Sequence, residues 1–265
     1  MDRITKAIKR ARESRETVMP LDHHPARPKP GKARIEPRKL SVSREKLQEN
    51  RIILSSANDP AAHAYKVLRT RVWQQMRAHG WSTLGVTSAN EGEGKSLTAI
   101  NLAIGLAKMD VAQSVILVDL DLRRPSLHRY FDFWPEAGIT DYLQGGAGLG
   151  ELLLKPDIGN MILLPGNMPF ANSSEIISSS KMGRLLNELK ANFQSRLVIF
   201  DLPPMLLTDD VMVFSPHLDA VLFVIEEGRS TADEISEAVD MLKDVELLGT
   251  VLNKSEDVGH GEGYY

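Results

Sequence analysis

The chain contains no cysteine, few aromatic residues (6%) and no apolar run approaching the ~18 residues that span a bilayer. Without cysteine there is neither a disulfide framework nor a thiol nucleophile, which fits a reducing compartment. The N-terminus has no apolar signal core, so a cytoplasmic protein is the default expectation. The first 50 residues hold no aromatic side chain at all, so they offer no stacking platform for nucleic-acid bases. What is present is ordinary for a globular protein. The 265 residues are 42% hydrophobic, enough for one large α/β domain with extensions or for two small domains.

Net charge is close to neutral, but its distribution is uneven. Residues 1–50 carry 14 Lys and Arg against 7 Asp and Glu, while residues 51–265 carry 18 against 28. A basic arm on an acidic body is the reading, and a protein or membrane surface is the expected partner of the arm, not nucleic acid. Residues 1–17 place Met1, Ile4, Ala7, Ile8 and Ala11 at helical spacing among Lys6, Lys9, Arg10, Arg12 and Arg15. That is an amphipathic helix able to dock, or a solvated terminus. Residues 18–42 form a basic linker. Five prolines between 20 and 37 are expected to exclude helices and strands from its first 23 residues. Ser43 caps a short helix through Gln48, and Ala64, Val67, Leu68, Val72 and Met76 mark a helix over 61–79.

From residue 82 strands and helices alternate. Continuous apolar runs at 83–88, 114–119, 161–165, 197–201, 220–225 and 248–252 suit strands buried on both faces, with helical patterns at 95–109, 175–193 and 231–244. The expected fold is α/β, a doubly wound, mostly parallel sheet flanked by helices, over residues 43–254. Residues 255–265 form a Gly-rich acidic tail that ends in Tyr264 and Tyr265. Tyrosines on so mobile a tail are no core residues; they are incidental, or substrates that must reach an active site.

The strongest signal is Ala89-Asn90-Glu91-Gly92-Glu93-Gly94-Lys95-Ser96, between a strand and a helix, with Ala89 where the consensus has glycine. This is a phosphate-binding loop: main-chain N–H groups wrap a polyphosphate, Lys95 neutralises it, and the Ser96 hydroxyl reaches Mg²⁺. Residues 90–97, Leu97 included, are the expected nucleotide contacts, helped by the positive end of the helix that follows. The run Val115–Asp119 continues into Leu120-Asp121-Leu122-Arg123-Arg124-Pro125. Asp119 and Asp121 leave a strand tip on one side, placed to share metal duties or accept a hydroxyl proton, or else to form a polar turn closed by Pro125. Arg123 is placed to meet phosphate or to pair with either aspartate. A third strand ends in Asp201-Leu202-Pro203-Pro204, and Asp201 there suits Mg²⁺. Asn253 closes the last strand, either as a hydrogen-bonding partner for a purine or as a turn residue.

Together these motifs resemble the bacterial tyrosine kinases of capsule and exopolysaccharide synthesis, over roughly residues 40–265. The likeness is closest to the stand-alone cytoplasmic autokinases that accompany a chain-length determinant. Gly138–Leu143, Leu164-Pro165-Gly166 and Ser174–Ile177 share in it. The resemblance implies ATP and Mg²⁺ as cofactors. It implies catalytic roles for Lys95, Asp119, Asp121, Arg123 and Asp201, a metal held by Ser96, Asp119 and Asp201, and trans-phosphorylation of Tyr264 and Tyr265. It also implies homo-oligomers, a membrane-bound polysaccharide co-polymerase, a cognate phosphatase, and recruitment to the inner face of the membrane. Three departures stand out: Glu91 replaces the family's proline, the tail keeps two tyrosines, and a Glu-x-x-Arg-x-x-Arg assembly pattern aligns with His63, Lys66 and Arg69. A second reading is a partition- or division-site-type switched ATPase. That class carries a further lysine near Ala89 or Asn90, which is missing here. A third is a nucleotide-binding scaffold.

Overall fold

The computed structural model describes residues 35–54, 60–109, 114–193 and 196–255. The amphipathic segment 1–17, most of the linker 18–42, and the tail with Tyr264 and Tyr265 lie outside the described residues. The elements run β1 (Arg38–Leu40), α1 (Arg44–Glu49), α2 (Pro60–His79), β2 (Thr83–Ser88), α3 (Lys95–Ala107), β3 (Ser114–Asp119), α4 (Leu127–Tyr130), α5 (Ile139–Gln144) and α6 (Leu149–Leu152). They continue through β4 (Leu154–Pro156), β5 (Met161–Leu164), α7 (Ser173–Ile177), α8 (Ser180–Asn192), β6 (Arg196–Asp201), α9 (Asp210–Phe214), β7 (Ala220–Glu226), α10 (Ala232–Asp240) and β8 (Glu246–Asn253). Among these residues no helix is long and apolar enough to cross a membrane.

The strands form one sheet in the order β1-β4-β5-β3-β6-β2-β7-β8, and every neighbour is parallel except the β4–β5 pair. Successive side chains along a strand point to opposite faces. Ile116, Val118, Ile162, Leu164, Val198, Phe200, Val221 and Phe223 therefore join one core with α8 and α9. Val115, Leu117, Met161, Leu163, Leu197, Ile199, Ala220 and Leu222 join the other, against α2 and α3. Burial on both faces explains why the strands read as unbroken apolar runs.

The differences from the sequence expectations have local causes. The proline-rich stretch does end in a strand: β1 pairs with β4 beyond Pro37. Helix 175–193 is two helices, because the chain leaves helical geometry at Ser179 (ψ 153°) and α8 starts afresh there. The helix expected to reach 244 ends at Asp240, and its start carries a capping box between Thr231 and Glu234. On α2 the buried stripe is Ala62, Val72 and Met76, with Leu68 half-buried, whereas Ala64 and Val67 face solvent. The Ser43 cap is as expected, its hydroxyl accepting the Lys46 N–H at 3.2 Å.

One clamp holds the start of β2, the strand that leads to the phosphate loop. The Asp219 carboxylate, at the entry to β7, accepts the N–H groups of Ser82 at 2.7 Å and Thr83 at 2.8 Å. Burial opposes its charge, but these two hydrogen bonds, aided by the Thr83 and Ser82 hydroxyls, hold its pKa below the usual value of 3.8. A carboxylate with a depressed folded pKa adds stability that is present above the unfolded pKa and is lost as pH falls through the folded one. Asp219→Asn is therefore expected to be less stable than wild type in urea titrations at neutral pH. The gap should close below pH 3.8, and a gap that does not depend on pH would refute the clamp.

Candidate active site

β6 lies between β2 and β3, so three strand ends meet at one edge. Asp119 and Asp201 are register partners on β3 and β6, and Val86, two residues before the end of β2, is the partner of Asp201 on the other side. Ligands in sheets of this kind bind beyond the carboxyl ends of the strands. The loop from Ala89 to Gly94 leaves β2 there and delivers Lys95 as the first residue of α3.

Lys95 is 8% exposed and surrounded by acids. Its Nζ donates to Asp121 Oδ2 at 2.8 Å and lies 3.8 Å from Asp201 Oδ1. Burial by itself would lower its pKa, but Asp201, Asp121 and Asp119 outweigh that and raise it, so the ammonium stays charged. The neighbouring Ser96 hydroxyl is 3.5 Å from Lys95 Nζ and 3.3 Å from that of Ser126. All three aspartates are thus brought together with Lys95 and Ser96 at one strand edge.

Asp119 and Asp121 also build the turn that holds them. Asp119 Oδ2 accepts the N–H groups of Ser126 at 2.9 Å and Leu127 at 3.0 Å, capping the start of α4, and Asp121 Oδ1 accepts from Arg124 N at 3.1 Å. The polar-turn reading is therefore met by these carboxylates. Asp119 Oδ1 and both oxygens of Asp201 are buried with no hydrogen-bond partner. Burial pushes both carboxyls well above the ordinary range, each raised further by a neighbouring carboxylate: Asp201 acts on Asp119, and Asp121 on Asp201, against the opposing charge of Lys95.

Unpartnered hard oxygens beside a serine hydroxyl are a donor set that fits Mg²⁺, which takes one or two carboxylates and completes its shell with phosphate and water. Among the described residues no three His, Cys, Asp or Glu side chains form a closed metal cage. Such an ion would therefore depend on the nucleotide for its remaining ligands.

The outer wall of the loop comes from the far end of the chain. Glu93, fully buried, accepts from Asn90 N at 3.2 Å through Oε2 and from the Ser230 hydroxyl at 2.6 Å through Oε1. Asn90 Nδ2 donates to Glu234 at 2.9 Å, and Lys254 Nζ to the Gly92 carbonyl at 2.8 Å. Asn253 Nδ2 donates to the Glu93 carbonyl at 2.8 Å, so this amide group braces the loop. Gly94, at φ 93°, cannot be replaced without strain, and a Cβ there would sit 2.0 Å from Asn253 Nδ2. Leu97 is half-buried and packs on the α3 core. Glu91 pairs with Arg124.

Arg123 departs from one of its two expected placements, the pairing with an aspartate of its own turn. It meets neither Asp119 nor Asp121; its Nε donates to the Ser173 hydroxyl at 2.8 Å and lies 3.8 Å from Asp210 Oδ2. The loop after β5 closes this side, and Gly166 permits it: a Cβ there would be 2.6 Å from Pro125 and 3.5 Å from Asp119. Sequence reading missed Ser230, Glu234 and Lys254. Only Glu234 carries a local signal, its capping box with Thr231; all three follow β7 and β8, and only sheet pairing brings those ends to the loop. Among the residues of the assembly pattern, His63 and Lys66 are exposed, while Arg69 reaches the Gly105 carbonyl at 3.4 Å.

The fold and this site define a phosphate-loop nucleotide-binding protein. A model of the ATPase MipZ family matches residues 84–138. The tyrosine-protein kinase YwqD of Bacillus subtilis is 30% identical over 224 residues, covering 83% of this chain and 92% of that protein. The tyrosine-protein kinase etk of Escherichia coli is 32% identical over 198 residues, 74% of this chain but only 27% of etk. The solved kinase domain of Escherichia coli tyrosine kinase ETK superposes with a TM-score of 0.70 at 29% identity, covering 80% of this chain and 83% of that domain. The chain belongs to the bacterial tyrosine-protein kinase family, and it is a tyrosine kinase.

Two outcomes test the site. Asn253→Ala leaves the Glu93 carbonyl unpartnered and is expected to cost about 1 kcal/mol of stability. It should also weaken nucleotide binding several-fold in a fluorescent-ADP titration; unchanged binding would show that the brace is dispensable. Burial and neighbouring carboxylates raise Asp119 and Asp201 above the ordinary carboxylate range, so a magnesium nucleotide held by them would displace protons. Calorimetry should show affinity rising from mildly acidic to mildly alkaline pH, with proton release on binding.

Proposed function

We propose that this kinase transfers the γ-phosphoryl group of ATP to tyrosine hydroxyls, that Tyr264 and Tyr265 of another copy are its acceptors, and that this phosphorylation regulates exopolysaccharide or capsule assembly. The observation that carries the reading is the Lys95 ammonium held between Asp121 and Asp201 at the mouth of a phosphate loop. A triphosphate entering the loop offers Lys95 a stronger anionic partner than Asp121. The main-chain N–H groups from Glu91 to Leu97 and the start of α3 hold the phosphates in place, and positioning supplies most of the catalysis in phosphoryl transfer. Ser96, Asp201 and Asp119 are the residues that would hold Mg²⁺, which when bound neutralises phosphate charge.

Once Lys95 turns to the phosphates, the Asp121 carboxylate loses its ion-pair partner. A tyrosine hydroxyl has a pKa of about 10, so it needs such an acceptor close by. The bond from the γ-phosphorus to the bridging oxygen of ADP breaks, a bond to the tyrosine oxygen forms, and the hydroxyl proton passes to Asp121. Asp121 is favoured over Asp119 because Asp119 already accepts two main-chain N–H groups and is fully buried.

The remaining parts of the reading rest on resemblance. They are a membrane-bound polysaccharide co-polymerase as activator, homo-oligomers that bring one tail to another site, a cognate phosphatase, and recruitment to the inner membrane face. The chain spans nearly all of YwqD and about a quarter of etk. The MipZ match covers the loop, α3 and β3, the part shared by all such nucleotide sites, and so does not favour the switched-ATPase reading.

Mass spectrometry of the C-terminal peptide after incubation with Mg²⁺-ATP is the test, with and without a membrane-activator fragment. Phosphate is expected on Tyr264 or Tyr265, reduced at least a hundredfold in Lys95→Met. A tail free of phosphate under both conditions, or one modified equally in Lys95→Met, would overturn the assignment.

A further inference from the structure

Arg123 is built into the molecule in a way that phosphate binding does not explain. Its Nε is anchored at the first residues of two helices, Ser173 of α7 at 2.8 Å and Asp210 of α9 at 3.8 Å. Both anchors are buried, and neither oxygen of the Asp210 carboxylate has a hydrogen-bond partner. A buried carboxylate is costly unless a charge faces it, and the guanidinium is the charge that does so. The 3.8 Å separation is too long for a hydrogen bond, so Asp210 orients the group by attraction and leaves its N–H donors free.

The other half of the guanidinium is outside. The Arg123 side chain is 43% exposed, and among the described residues only its Nε engages a partner. The next residue is different: Arg124 is closed by Glu91. One rim cation is therefore neutralised, while its neighbour presents a fixed, unfilled donor pair. That is the geometry that takes a carboxylate bidentately.

Arg123 stands two residues beyond Asp121 along the same chain. In the tail, Glu262 stands two residues before Tyr264. In an extended peptide residues two apart project to the same side, about 7 Å from one another. Asp121 and Arg123 share the turn that follows β3, so a tail that brings the Tyr264 hydroxyl to Asp121 carries its Glu262 carboxylate toward the same rim.

We propose that Arg123 is an acceptor-recognition residue whose guanidinium, oriented by Ser173 and Asp210, binds the Glu262 carboxylate of a second copy's tail while Tyr264 occupies the site. This rests on the tyrosine-kinase reading and adds its substrate preference: a tyrosine with an acidic residue two positions before it. Lysine would supply charge without the two-pronged fit.

The test uses full-length chains. The kinase carries Tyr264→Phe and Tyr265→Phe, and the acceptor carries Lys95→Met, with or without Glu262→Gln. Initial rates of Tyr264 phosphorylation are measured against acceptor concentration. Arg123→Gln in the kinase is expected to raise the acceptor KM about fivefold, as for a rim ion pair with good geometry, and to leave the KM for ATP unchanged. Glu262→Gln in the acceptor should produce the same rise, the two together no further rise, and Arg123→Lys a partial recovery. Losses that multiply, a changed KM for ATP, or a Glu262→Gln acceptor as good as wild type would each overturn the proposal while leaving the kinase reading intact. Absence of phosphate from every tail would overturn both.

Discussion

The site is organised around a lysine ammonium buried among three carboxylates. The β3–β6 register puts Asp119 beside Asp201, and the turn that follows β3 aims Asp121 at Lys95. One positive charge cannot balance three negative ones in a place with so little water, so burial drives the two deeper carboxyls toward their neutral forms. A folded protein has no structural reason to keep such an arrangement, since apolar side chains of similar size would cost less. Under the proposed function its logic is that of a receptor: Lys95 would leave for a polyphosphate, and the unpartnered oxygens would take a divalent cation.

The two sides of the loop differ in construction. Toward β7 and β8 it is pinned by Glu93, Ser230, Asn253 and Lys254, so the main-chain donors have little freedom before any ligand arrives. Toward β3 and β5 the wall is a turn and a loop packed through Gly166, with Arg123 fixed at its rim by Ser173 and Asp210. A rigid phosphate cradle and an oriented but unfilled cation suit an enzyme that holds one substrate tightly and meets the other briefly.

Much of this was legible before any coordinates. The phosphate loop, the paired aspartates and the strand ending at Asp201 are short contiguous segments whose chemistry depends on residue type and on neighbours one to eight positions away. Long apolar runs betrayed the central strands because both faces are buried. The three-residue strands β1 and β4 were invisible, since they have no period to detect and Pro156 sits in one of them. The break at Ser179 was hidden because no glycine or proline marks it. On α2 the stripe through Leu68, Val72 and Met76 is as expected, and only its first turns were misplaced, toward Ala64 and Val67 instead of Ala62, because several apolar residues compete for one face.

By itself the amino-acid sequence determined which strand ends would carry acids, where the phosphate-type loop would lie, and that the chain would wind into a mostly parallel sheet. Local propensity, turn chemistry and apolar periodicity act over a few residues, and those are the signals a sequence displays. Only the tertiary structure decided that Asn253 would brace the loop, that Glu93 would be locked by Ser230, and that Arg123 would turn away from the aspartates beside it to Ser173 and Asp210. Those partners lie between 50 and 160 residues apart in the chain, and the order in which the sheet assembles its strands is what makes them neighbours.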